Sequence, residues 1–329
     1  MSDKPVLEVR NLKKHYRMKG KQVLKAVDGI SFTIRQGETL GIVGESGCGK
    51  TTCGKVCMGM LVPTEGQVLF HGQDVHRMDR KAHRVFTRQA QMIFQDPYGA
   101  LDPHYTVYRA VAEGLRAHGM ARTKQEEQQM VYQLLDMVGL RREQAVSNVS
   151  EFSGGQRQRI SIARALAVNP EFLFCDEPVS ALDVSLQAQI VNLLLELQQK
   201  KNLTMLFISH DLAVVKHISD RVAVMYLGRI VELAPAEELY RNPLHPYTRA
   251  LLSAIPEVEP EGGNEKERIL LKGDLPSAIA QMEGCRFCSR CPCAREICAR
   301  MEPELREITP GHTVACHFPG EEGERPWKK

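Results

Sequence analysis

LGIVGESGCGKTT, Leu40–Thr52, begins as a short apolar run, turns through three glycines and ends in a lysine and two threonines. Gly44–Thr51 satisfies G-x4-G-K-[ST], with a strand pattern before it and a helical pattern, Lys50–Met60, opening on its lysine. That is the context in which this motif cradles phosphates. Glycines let the backbone turn tightly enough for successive N–H groups to face phosphate oxygens, and the helix N-terminus adds partial positive charge. The expected nucleotide contacts are Gly44, Glu45, Ser46, Gly47, Cys48, Gly49, Lys50, Thr51 and Thr52. Lys50 should reach the β and γ phosphates, and Thr51 should ligate Mg²⁺. Cys48 reads as a small spacer, although a thiol near a helix N-terminus can acquire a lowered pKa.

A second apolar run, FLFC at Phe172–Cys175, ends in Asp176 and Glu177. An acid at the end of a buried strand, downstream of a phosphate loop, can hold Mg²⁺ through water, and Asp176 fits. The next acid can polarise an attacking water, which makes Glu177 the candidate general base. A bare Asp-Glu pair is ordinarily a solvated surface pair. The apolar run before it and the phosphate loop upstream favour the functional reading.

Leu40–Val43, Phe172–Cys175 and Met205–Ile208 read as buried strands. Lys50–Met60, Arg157–Ala167, Leu186–Gln199 and Leu212–Ile218 read as helices. Apolar strands separated by helices imply an α/β fold with a largely parallel core sheet. Leu7–Val9, Lys25–Val27 and Ser31–Ile34 alternate more, as a half-exposed antiparallel sheet would. Thr123–Val138 is amphipathic and glutamine-rich, and predicts a helical insertion. Pro256–Glu267, PEVEPEGGNEKE, reads as a linker. The chain has 329 residues, 43% hydrophobic and 25% charged, enough for one large domain and a smaller one. A net charge of +3 gives no global argument for nucleic acid, and none is expected as a partner. No run reaches the roughly 18 apolar residues of a membrane span, and MSDKPVLEVR lacks the apolar core of a secretory signal. The expected compartment is cytosolic, where clustered cysteines read as metal ligands before disulfides.

Between the two nucleotide motifs lies FSGGQRQR, Phe152–Arg159. Here the chain resembles the ATP-binding subunits of ABC transporters, whose signature is matched by Ser153, Gly154, Gly155 and Gln156, with Phe152 at the usual leucine. Tyr16 resembles the aromatic residue that stacks on adenine. Gln95 in IFQDP resembles the Q-loop glutamine, which senses Mg²⁺. Ser180–Asp183, SALD, matches the D-loop, and His210 in ISHD the switch histidine that contacts the γ-phosphate. The resemblance implies a P-loop ABC ATPase domain over 1–255, its helical insertion at about 96–165, and a cysteine-rich C-terminal extension over 256–329. It assigns Glu177, His210 and Gln95 to catalysis and Thr51, Gln95 and Asp176 to Mg²⁺. In this family two domains meet head to tail, each nucleotide lying between one phosphate loop and the other subunit's signature. One ABC set in this chain therefore implies a second, homologous ATPase subunit.

Arg241–Pro256, RNPLHPYTRALLSAIP, resembles the segment closing this domain in importers of oligopeptides, dipeptides and nickel. That resemblance implies an ATPase subunit that energises di- or oligopeptide import. It would sit peripherally on the cytoplasmic face of the membrane with two permeases and an extracytoplasmic substrate-binding protein. The competing reading is a soluble ABC ATPase doing iron–sulfur or ribosome-related work. GCRFCSRCPCAREIC, Gly284–Cys298, holds five cysteines, and Cys316 follows. A [4Fe–4S] cluster, structural zinc (with His317 as an alternative ligand) and cysteines packed as small apolar residues are the three readings. Cys285, Cys288 and Cys291 have ferredoxin-like spacing, but the position of the fourth ligand holds Arg295. The family resemblance instead selects Cys285, Cys291, Cys298 and Cys316 and favours the iron–sulfur reading. Cys53, Cys57 and Cys175 read as packing residues.

Overall fold

The computed structural model describes residues 5–255, 269, 271 and 283–321. The expected linker at 256–267 lies outside the described residues. Along the chain the strands are β1 (Pro5–Arg17), β2 (Val23–Arg35), β3 (Thr39–Val43), β4 (Glu65–Phe70), β5 (Gln73–Asp74) and β6 (Ala90–Ile93). They continue as β7 (Phe172–Asp176), β8 (Thr204–Ile208), β9 (Arg221–Tyr226), β10 (Arg229–Pro235), β11 (Arg306–Thr309) and β12 (His312–Val314). One sheet has the order β2-β1-β4-β5, the other β11-β12-β10-β9-β3-β8-β7-β6. In the larger sheet β9, β3, β8, β7 and β6 are parallel neighbours. Strands β3, β7 and β8 are buried at every position, which is why they read as unbroken apolar runs. The α/β fold expected from sequence, with its antiparallel N-terminal sheet, is the fold observed.

Strands β1 and β2 are longer than their short alternating runs suggest. Their register slips between Val9 and Leu12, where Asn11 takes a left-handed φ of 43°, and the two-residue alternation breaks there. The helices are α1 (Lys50–Cys57), α2 (Arg80–Gln89), α3 (Pro97–Ala100), α4 (Val107–His118), α5 (Lys124–Met137), α6 (Gly154–Leu166), α7 (Val184–Lys201), α8 (Leu212–Ile218), α9 (Ala236–Arg241), α10 (Pro246–Leu252) and α11 (Glu296–Arg300). Helix α1 stops three residues before the expected Met60. Gly59 adopts φ 70° and donates to the Val56 carbonyl while the Met60 N–H reaches Lys55, a left-handed helix stop. Thr123 caps α5, as the amphipathic segment implied. Helix α6 begins at Gly154 instead of Arg157. Glycine lowers helix propensity, but Ser153 and Gln156 form a capping box that starts the helix on the signature itself.

The C-terminal segment has more structure than its sequence pattern suggests. Hairpin β11–β12 turns at Gly311 and lays β12 against β10, with Glu232 opposite Val314 and Leu233 opposite Thr313. Phe287 is buried, its ring 5.3 Å from Tyr226 and 5.4 Å from Tyr247. At the seam Glu232 is fully buried. Its carboxylate accepts from the Leu244 N–H at 2.7 Å and the His245 N–H at 2.9 Å, and meets His312 Nε2 at 2.7 Å. One side chain thus ties β10, the start of α10 and β12 together. Glu232→Ala strands these partners without water, so unfolding stability should fall by about 3 kcal/mol or more. Urea denaturation should show an earlier midpoint, and a midpoint equal to that of the wild type would contradict the tie.

Candidate nucleotide site

The phosphate loop is the direct continuation of β3, and α1 begins at its lysine. Gly49 takes φ 108°, and a Cβ there would lie 1.9 Å from the Ala26 carbonyl oxygen, so only glycine fits. Lys50 is buried, and its ammonium donates to the carbonyls of Gly44 at 2.8 Å and Glu45 at 3.1 Å. The Glu45 N–H donates to the hydroxyl of Tyr247, on α10, at 2.9 Å.

The acids arrive from the neighbouring strand. Asp176 ends β7, and Thr51 Oγ1 donates to its Oδ1 at 2.8 Å, which joins the first turn of α1 to the end of β7. Burial pushes the Asp176 carboxyl up, against the Thr51 hydrogen bond and the nearby charge of Lys55 and Lys50. Glu177 adopts a left-handed φ of 44°, a strained position for a non-glycine residue. Its N–H is fixed to the Ile208 carbonyl at 2.9 Å. One carboxylate oxygen, Oε2, accepts from Gln95 Nε2 at 3.0 Å and lies 3.3 Å from His210 Nδ1. Gln95 follows β6, Glu177 follows β7 and His210 follows β8, so three adjacent strand ends converge on that oxygen. The D-loop turns back at once, with Ser180 Oγ donating to the Glu177 carbonyl at 3.1 Å and Asp183 capping α7.

The structure therefore brings together Lys50, Thr51, Asp176, Glu177, Gln95 and His210. Tyr16 lies on β1 with the Lys14 ammonium 5.2 Å from its ring centre. Ser153, Gly154, Gly155 and Gln156 open α6, and no hydrogen bond or ion pair among the described residues joins them to the phosphate loop. Tyr247, which touches Glu45, escaped the sequence reading: nothing local marks a contact across 202 positions.

The cysteines divide into two sets. Cys48, Cys53, Cys57 and Cys175 are buried, as packing residues should be. Burial pushes the Cys48 thiol up and outweighs the pull of Lys50, so the lowered pKa possible at a helix N-terminus is not realised. Around the C-terminal segment, burial raises the thiols of Cys285 (to about 11), Cys291 and Cys316. Neighbouring sulfurs add to the effect: Cys298, Cys316 and Cys288 at Cys285, and Cys293, Cys285 and Cys316 at Cys291. Among the described residues no three potential ligands stand close enough together to hold a metal.

A family model described as ABC transporter matches residues 27–180. The putative oligopeptide transport ATP-binding protein YkfD of Bacillus subtilis is 53% identical over 314 residues, 95% of either chain. The chain belongs to the ABC transporter family. A second model, described as oligopeptide/dipeptide transporter, C-terminal region, matches residues 231–298 of this ABC ATPase. The oligopeptide transport ATP-binding protein AppF of the same organism is 52% identical over 320 residues, 95% of this chain and 97% of its own. Among solved structures, cbiO1 from Clostridium perfringens, part of the ABC transporter complex cbiONQ, aligns with TM-score 0.64 and 29% identity. It covers 73% of this chain and 92% of its own. The ATP-binding cassette MJ0796, dimeric and bound to ADP and Pi after hydrolysis, aligns with TM-score 0.64 and 28% identity over 70% of this chain and 98% of its own.

Burial makes a test of the ABC ATPase's interior thiols. Burial pushes Cys175 up to about 12, so at pH 8 it carries on the order of one thiolate in ten thousand. Cys48 is shielded in the same way. Iodoacetamide at pH 8 should leave both unmodified in the native protein and label both in urea, as read by peptide mass spectrometry. Native labelling at the rate of a free thiol would contradict the burial.

Proposed function

We propose that this chain is the ATP-hydrolysing subunit of an importer for di- and oligopeptides. The supporting observation is that the match to oligopeptide transport ATP-binding proteins spans both the cassette and the C-terminal region, at over 50% identity along about 95% of the chain. A soluble ATPase serving iron–sulfur or ribosome-related work has no such support. No described helix is long and apolar enough to cross a membrane. Attachment to the cytoplasmic face therefore falls to partner chains: two permeases, fed by an extracytoplasmic substrate-binding protein. Residues 1–255 form the cassette, with the helical insertion at about 96–165. Residues 256–329 form the extension, of which the described strand β12 pairs with β10 of the cassette.

The separation of the signature from the phosphate loop suits a site completed by a homologous second ATPase subunit. Each nucleotide then lies between one chain's phosphate loop and the other chain's SGGQ, where a helix start faces phosphate. In this chain Gly44–Thr52 wrap the phosphates, Lys50 neutralises them and Tyr16 supports the base. Mg²⁺ is held by Thr51 and Asp176, with Gln95 reporting on it. Burial leaves the Asp176 carboxylate in need of a cation, which fits it to that role. Glu177 polarises the attacking water, and His210, 3.3 Å from its carboxylate, bridges it to the γ-phosphate. Strand ends fix all of these groups, so their geometry is organised before nucleotide arrives.

The cysteine site is the finer part of the proposal. Cys285, Cys291, Cys298 and Cys316 supply four soft donors from three segments, the donor chemistry of a [4Fe–4S] cluster and, second, of zinc, and binding would have to draw them closer together than they stand. A metal centre there would staple the loop, α11 and the second residue after β12 together. Iron, sulfide and zinc analysis of anaerobically purified protein tests this. Cys291→Ser should lose the metal and Cys288→Ser should keep it, whereas metal-free wild-type protein would end the proposal.

In the assembled transporter Glu177→Gln should keep ATP binding and lose at least about a hundredfold in turnover. Uptake of labelled di- and oligopeptides should fall with it in cells lacking other importers. Wild-type turnover in that variant would refute the assigned base, and normal peptide uptake after deletion of the chain would refute the transport reading.

A further inference from the structure

We propose that Arg290, carried in from the cysteine-rich segment, is a positioning residue of the nucleotide site that neutralises and holds Glu45 of the phosphate loop. The proposal rests on residues 44–52 being that site. Arg290 Nη1 lies 2.8 Å from Glu45 Oε2 and Nη2 lies 3.1 Å from Oε1, a two-pronged pair across 245 positions. The Arg290 side chain is 9% exposed and that of Glu45 26%, so water screens the pair only partly. Nη1 also reaches the Tyr226 hydroxyl at 3.4 Å. The Glu45 backbone is fixed as well: its N–H by Tyr247, its carbonyl by Lys50.

The reason for such a clamp is electrostatic. A loop that presents N–H groups to an anion carries a carboxylate beside its first glycine. Left alone, that carboxylate would repel the phosphates and compete for Lys50. The guanidinium cancels the charge and turns the side chain toward β9, which ends at Tyr226. Arg290 can do this because its segment is anchored independently. Arg286 pairs with the buried Asp28 and donates to the Leu227 carbonyl, and Asp28 also meets His15 Nε2 at 2.8 Å, next to Tyr16. Burial pushes the Asp28 carboxyl up, but hydrogen bonds from Arg286 and His15 outweigh it and hold it well below the usual range. Phe287, buried against Tyr226 and Tyr247, fixes the segment between the two arginines.

The test is a double-mutant cycle of Arg290→Met and Glu45→Gln in the assembled transporter, reading KM for MgATP, kcat and thermal midpoint. With Glu45 present, Arg290→Met should raise KM about tenfold and change kcat less than twofold. With Gln at position 45, the same arginine substitution should change KM less than twofold, because the repelling charge is gone. Arg290→Lys, which keeps the charge and loses the fork, should fall between wild type and Met; it carries the cycle if the Met variant does not assemble. Equal KM penalties in both backgrounds would reduce Arg290 to a packing residue, and an unchanged KM in Arg290→Met would overturn the proposal. Failure of the wild type to bind ATP would instead overturn the nucleotide-site reading.

Discussion

Strand β3 is buried along its whole length between β9 and β8, and the phosphate loop is simply its next residue. The rest of the site depends on that continuity. Parallel pairing sets β3, β8 and β7 in register, so their C-terminal ends lie side by side at one edge of the sheet. Ligands of open α/β sheets bind at such edges because helix starts and loop backbones face outward there. Thr51, Asp176, Glu177 and His210 are each within two residues of a strand end or at a helix start. The 3.3 Å between His210 and Glu177 follows from the pairing of β8 with β7, whereas the 2.8 Å between Thr51 and Asp176 also needs the phosphate loop to carry the chain from β3 into α1.

Holding charge at that edge has a cost in desolvation, and the structure meets it with partners from afar. Asp28 is answered by Arg286 and His15, Glu45 by Arg290, Asp176 by Thr51 and the two lysines of α1. A buried carboxylate without partners would simply take up a proton. Glu177 differs: its carboxylate has a neutral amide and an exposed imidazole for company, and its backbone is strained. The general-base role proposed for Glu177 calls for a carboxylate held without a cationic partner, and the strained turn places it without an arginine.

What the sequence made legible was what is local. Leu40–Val43, Phe172–Cys175 and Met205–Ile208 declare themselves because buried parallel strands cannot afford polar residues, and the glycines of the phosphate loop because the turn admits no Cβ. The sequence pattern starts the signature helix three residues late because its glycines hide the start that the Ser153–Gln156 capping box provides. Hairpin β11–β12 was invisible for a different reason: β11 is exposed at every position and shows no apolar alternation. The arginine clamps were illegible in principle. Arg286 and Arg290 read as ordinary charges among cysteines, and only the fold shows that they end 258 and 245 positions upstream.

Those contacts change what the cysteine segment is. An appended domain would keep its own core and touch the cassette at its rim. Here Phe287 packs in the same core as Tyr226 and Tyr247, β12 adds a strand to the cassette's sheet, and two arginines reach Asp28 on β2 and Glu45 in the phosphate loop. Arg286 follows Cys285 and Arg290 precedes Cys291, so the residues that carry the thiols also carry the clamps. The proposed clamp would therefore couple the order of those cysteines to the order of the phosphate loop, in a small, loop-rich segment with few apolar residues of its own.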